Sequence, residues 1–92
     1  MKNLNCKKSA QFLKALAHPT RLTIMAELIK DKKCVNEIEE ILELRQPNIS
    51  QHLNLLRLYD IVDFEQDGKK KCYFLKNPEL IKKLFNILSN TN

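Results

Sequence analysis

One stretch near the middle of the chain, Arg45-Gln46-Pro47-Asn48-Ile49-Ser50-Gln51-His52-Leu53-Asn54-Leu55-Leu56-Arg57, leaves few conformations open. Pro47 marks where a helix can begin, because proline suits a first helical turn. Ile49, Leu53 and Leu56 then recur at i, i+4 and i+7, one apolar stripe that a helix must bury. The other face carries Ser50, Gln51, Asn54 and Arg57, neutral hydrogen-bonding groups plus one cation and no carboxylate. A surface helix of that composition is equipped to meet base edges and phosphates, which points to DNA.

The flanking sequence places this helix in a pattern. Ser9 to Ala17 reads as a short helix with Phe12, Leu13 and Leu16 on one face. Pro19 opens a second, with Leu22, Met25, Leu28 and Ile29 as its stripe, and the charged run Lys30-Asp31-Lys32-Lys33 ends it. A third runs from Val35 to Leu42, with Val35, Ile38 and Leu42 inward and Glu37, Glu39, Glu40 and Glu43 as a solvated acidic face. So tight a connection to the next helix predicts a helix-turn-helix. Ile61 to Glu65 alternates as a strand, Asp67-Gly68 is a hairpin signal, and Cys72-Tyr73-Phe74-Leu75 returns. Lys69, Lys70 and Lys71 sit at the tip of that ribbon, and a last helix spans Pro78 to Leu88. The expected fold class is mainly α: a winged helix-turn-helix of four helices, a β-hairpin wing and a C-terminal helix, in a single domain over residues 1–92. A two-stranded ribbon cannot stand alone and must pack on the helices.

Bulk properties narrow the function. Sixteen Lys and Arg against eleven Asp and Glu give a net charge of +5, which favours a polyanionic partner. No apolar run approaches a membrane span, and the polar start, Met1-Lys2-Asn3-Leu4-Asn5, carries no secretory signal. Three cysteines, an odd count, do not read as a disulfide framework, so a reducing cytoplasm is the expected compartment. No carboxylate pair, metal-ligand cluster or phosphate loop suggests an enzyme.

Three stretches together resemble the ArsR/SmtB family of small winged-helix repressors. Ala15-Leu16-Ala17-His18-Pro19-Thr20-Arg21-Leu22 looks like the family's entry to its second helix. Gln46 to Leu53 with Leu56-Arg57 looks like its recognition helix, and Gly68 with Cys72-Tyr73-Phe74-Leu75 like its wing. The resemblance implies a homodimer that sits on an operator and leaves it when a metal or other inducer binds. Two departures stand out. Glu43-Leu44 occupies the inter-helix turn where relatives usually place a glycine, and Arg45 replaces a common serine cap.

On this reading Gln46, Asn48, Ser50 and Gln51 contact bases from the start of the recognition helix, with Asn54 one turn on. Arg57 touches phosphate or pairs with an acidic neighbour. Lys69, Lys70 and Lys71 grip backbone or minor groove; alternatively they are a solvated turn. The first and last helices are expected to form a shared two-fold interface, which makes the operator near-palindromic double-stranded DNA; alternatively they pack only on their own domain. Cys34 matches the first position of the relatives' Cys-x-Cys metal motif, but Asn36 and Glu39 stand where further thiols would be. Cys6, in the N-terminal segment, is the other thiol of a possible sensor. The pair Cys6 and Cys34 suits a soft metal or metalloid, or a redox response; alternatively both are plain small side chains. Cys72 on the wing is read as structural; alternatively, nearby lysines lower its pKa and make it reactive. The last helix, with Asn77 and Glu79 and no histidine, is expected to hold no zinc. His18 and His52 are expected in buried or backbone-bonded roles. The competing functions are a winged-helix protein-interaction module and a DNA binder of the same type with no effector.

Overall fold

The turn between the two central helices sets the angle of the helix with the carboxylate-free polar face. In the computed structural model, which describes residues 3–92, α3 (Val35–Leu42) ends on Glu43 and α4 (Gln46–Leu58) begins three residues later. Glu43 takes a left-handed conformation, φ 54° and ψ 39°, at the position where glycine was missed. A side chain there costs about 1–2 kcal/mol. In return the Glu43 and Leu44 backbone N–H groups both donate to the Glu39 carbonyl, which closes the end of α3. Arg45 then caps α4 with extended backbone and without a side-chain bond.

The other helices are α1 (Cys6–Leu16), α2 (Pro19–Lys30) and α5 (Pro78–Ser89). Helix α1 starts three residues before the expected Ser9, because Asn5 Oδ1 accepts the Lys8 N–H at 3.0 Å and so provides a cap. Met1 and Lys2, in the polar opening stretch, lie outside the described residues. Helix α2 is capped by His18, whose Nδ1 accepts the Thr20 N–H at 3.1 Å, with Pro19 at the first position. Asn77 Oδ1 does the same for Leu80 N–H at the start of α5, at 3.2 Å.

The wing comprises β2 (Val62–Asp67) and β3 (Lys70–Leu75), antiparallel with Phe64 opposite Tyr73 and Asp67 opposite Lys70. Gly68 turns the corner at φ +62°, the sign required at the first central position of a two-residue hairpin. The sheet is not the expected two-stranded ribbon. A short strand β1 (Lys33–Cys34) pairs with the other edge of β3, Lys33 opposite Tyr73 and Cys34 opposite Cys72, in the order β1-β3-β2. Two residues, one closing a charged run and one just before α3, show no alternation, so the sequence carries no strand signal for β1.

The core gathers from every helix and from the sheet. Ile24 and Met25 of α2, Ile38 of α3, Ile49, Leu53 and Leu56 of α4, Val62 of β2 and Ile81 of α5 are all fully buried. Each such side chain contributes about 1.5–3 kcal/mol by leaving water. The stripe Ile49, Leu53 and Leu56 therefore anchors α4 on one side and leaves its polar side outward. Helices α1 and α5 are different. Leu13 of α1 and Leu80 and Ile87 of α5 remain 56%, 45% and 62% exposed.

Candidate nucleic-acid interface

The outward side of α4 and the wing enclose a cleft of about 470 Å³. Gln46, Ser50 and Asn54 form one wall, at i, i+4 and i+8 along α4. Lys69, Lys70 and Lys71 form another, with Tyr73 beneath and Val35, Asn36 and Glu39 of α3 at the side. Six of the nine residues expected to contact DNA thus share one concavity. Gln46 Nε2 donates to Ser50 Oγ at 2.7 Å, which orders two of the groups expected to meet bases.

Asn48 and Gln51 are exposed on α4 but do not line the cleft, so they extend the polar surface beyond its edge. Arg57, in the last turn, is held elsewhere. Its Nε donates to Asp63 Oδ1 at 3.2 Å, and its guanidinium lies 4.5 Å from the Phe64 ring centroid. Of the two roles expected for Arg57, the structure contains the acidic neighbour. The Phe64 backbone N–H, donating at 2.8 Å, and then Arg57 hold the Asp63 carboxyl below its ordinary range. This pair braces the base of the wing against α4.

The three wing lysines differ. Lys69 is at the turn, and Lys70 faces Asp67 across the hairpin. Lys71 Nζ sits 4.7 Å from the Phe64 ring centroid, a cation–π contact that turns it back along the sheet. Among the described residues none of the three forms an ion pair with a carboxylate.

Two features escaped the sequence reading. Glu39 belongs to a cleft wall, not only to a solvated face. Its i+4 spacing from Val35 was the available signal. Arg21 was not singled out at all. It donates from Nε to the Ala15 carbonyl and from Nη2 to the Lys14 carbonyl, closing the end of α1. Its Nη1 lies 3.2 Å from His52 Nδ1 on α4, and the His18 and His52 rings are 4.5 Å apart. Burial lowers the His52 pKa, with the His18 and Arg21 charges acting in the same direction. A neutral His52 is the form that can accept from Arg21. The three residues therefore tie the end of α1 and the start of α2 to the back of α4. His18 has the backbone-bonded role expected of it, whereas His52 is half-buried and meets a side chain, Arg21, instead of backbone.

The cysteines are arranged differently from the expected pairing. Cys34 is bonded to Cys72 in a disulfide that spans 38 positions, and Cys6 is a free, exposed thiol in the first turn of α1. With its sulfur engaged by Cys72, Cys34 has no thiolate to offer Cys6 or a metal in this state. Among the described residues, no three His, Cys, Asp or Glu side chains gather as metal ligands. Also among them, no helix is long and apolar enough to cross a membrane.

A polar helix held beside a basic wing by a helix-turn-helix core defines a class, the winged helix-turn-helix regulator. Comparison with known proteins narrows it. The family model for bacterial regulatory proteins of the arsR family matches residues 18–63, and the chain belongs to that family. It is 41% identical over 81 residues to the biofilm growth-associated repressor of Agrobacterium fabrum, covering 85% of this chain and 69% of that protein. It is 35% identical over 72 residues to the transcriptional repressor SmtB of Mycobacterium tuberculosis, covering 78% of this chain. The chain spans about half, 53%, of SmtB's length. Among solved structures it is similar to NolR from Sinorhizobium fredii, with a TM-score of 0.85 at 29% identity over 99% of this chain and 96% of that one.

Proposed function

We propose that the chain is a sequence-specific, DNA-binding transcriptional repressor of the ArsR type. The observation that carries this reading is the cleft, in which the amide and hydroxyl groups of Gln46, Ser50 and Asn54 face three lysines unpaired with any described carboxylate. Helix α4 enters the major groove, where Gln and Asn bond adenine in two-point fashion. The wing lysines neutralise flanking phosphates and set affinity without reading sequence. Gln51 and Asn48 extend the reading surface along the groove.

The uncovered apolar faces of α1 and α5 support a two-fold homodimer, since exposed leucine and isoleucine in two helices of so small a chain call for a partner surface. A two-fold dimer demands a near-palindromic operator, its half-sites spaced by about one helical turn or a multiple. The protein acts in the cytoplasm, where such DNA is found, and no catalytic role is assigned to it. An inducer releases it from the operator, and its cysteine thiols are the chemistry through which the signal enters. With Cys34 oxidised, a soft metal or metalloid at Cys6 and Cys34 requires prior reduction.

The test is selection of duplexes from a randomised library, followed by binding isotherms on the enriched sequence. Gln51→Ala with Asn54→Ala should lose about 1–3 kcal/mol of discrimination for each two-point contact removed, with little change on random DNA. Unchanged selectivity would show that the reading face lies elsewhere.

A further inference from the structure

We propose that Cys34 and Cys72 form a reversible thiol–disulfide site through which a small-molecule thiol loosens the DNA cleft. The inference rests on the DNA-binding reading above. Its first support is position. Cys34 is the last residue of β1 and the cap of α3, and Cys72 lies in β3 directly across the antiparallel register. The residues beside them, Val35, Asn36, Lys71 and Tyr73, all line the cleft. The bond thus joins the first helix of the helix-turn-helix to the strand that carries Lys70 and Lys71.

The second support is that the backbone pairing along that edge is short. Strand β3 pairs with β2 over six residues but with β1 over only two. Neither cysteine belongs to the buried core, and both remain partly accessible to solvent. Opening the disulfide therefore leaves the core and the β2–β3 hairpin intact. It releases the side-chain cross-link between the start of α3 and the wing. Around the pair the side chains are mixed in charge. Lys33 and Lys71 precede the two cysteines, Glu65 faces Cys72 from β2, and Glu37 accepts the Cys34 N–H at 3.0 Å.

The chemistry is exchange. A thiolate RS⁻ attacks one sulfur of the pair, the Cys34–Cys72 bond breaks, and a mixed disulfide forms with one protein thiolate released. A second RS⁻ attacks the mixed disulfide and leaves as RSSR. In sum the protein disulfide and two RSH give two protein thiols and RSSR. The reverse reaction, driven by RSSR, restores the bond. The oxidised form holds the lysines and the reading face at one separation, so it binds DNA with less ordering cost than the reduced form.

The experiment titrates the full chain with reduced and oxidised glutathione as the probe couple. Free thiols are counted by alkylation and mass, and affinity for the selected duplex is measured by fluorescence anisotropy. The oxidised chain should show one alkylatable thiol, Cys6, and the reduced chain three. Affinity should fall about tenfold on reduction. Cys72→Ser and Cys34→Ser should each match the reduced protein and ignore the couple, while Cys6→Ser should keep the full response. Three alkylatable thiols under excess oxidised glutathione, equal affinities in the two forms, or tighter binding by the reduced form would overturn the proposal. If neither form enriches any sequence, the DNA reading itself fails, a separate outcome from loss of the redox response.

Discussion

Replacing Lys69 and Lys70 with glutamine tests how the wing works. Lys69 occupies the turn and Lys70 the adjoining ladder position, whereas Lys71 is drawn toward Phe64, so the first two are the cations freest to meet phosphate. In a two-fold dimer the double variant removes four positive charges. If each neutralises one phosphate, the slope of log K against log salt becomes shallower by about 3.6, at about 0.9 per contact. Between about 50 and 200 mM salt, that difference narrows the gap between wild type and variant by about 150-fold. The defect is therefore largest in low salt. Isotherms at four or five salt concentrations, on both selected and random duplexes, measure it. The loss should be similar on the two DNAs, because phosphate contacts carry no sequence information. Gln51→Ala, by contrast, should weaken only the selected duplex and leave the slope unchanged. Parallel salt plots for wild type and the double variant would refute the placement of the wing on the backbone. Circular dichroism would show that the hairpin survives, since Gly68 and the core-facing Tyr73 and Leu75 are untouched.

Three other outcomes follow from the structure. Glu43→Gly should stabilise the fold by about 0.5–1 kcal/mol, as relief of the left-handed residue exceeds the added unfolded-state entropy; a lower denaturation midpoint would contradict that accounting. His52 has a lowered pKa, so its contribution is fully present above the ordinary value of 6.5 and is lost as pH falls through the lowered folded value. Denaturation midpoints should thus drop as the pH is taken below 6.5, and His52→Gln should flatten that drop; an equal drop in the variant would remove His52 as its cause. Leu13→Glu or Ile87→Glu should convert a dimer to monomer in sedimentation and weaken operator binding with the monomer still folded. A dimer that persists in both variants would place the interface on other surfaces.

Much of the fold was legible because it is local. The spacing of Ile49, Leu53 and Leu56, the proline at each of three helix starts, and Gly68 in its hairpin are properties of neighbouring residues, and they suffice to name the elements and their order. Gln46, Ser50 and Asn54 share one cleft wall for the same reason, because burying one stripe of α4 turns its polar side outward, whereas only the tertiary fold brings the wing lysines beside them. The tertiary structure decided what lies far apart in the chain. Strand β1 exists only because β3 offers it an edge, and Lys33-Cys34 alone carries no strand signal. Arg21 reaches His52 across 31 positions, and Arg57 finds Asp63 only after the chain turns into the wing. The cysteines show the division most clearly. Composition counts three of them and cannot pair them, since pairing depends on which backbones the fold brings side by side, and here that is Cys34 with Cys72.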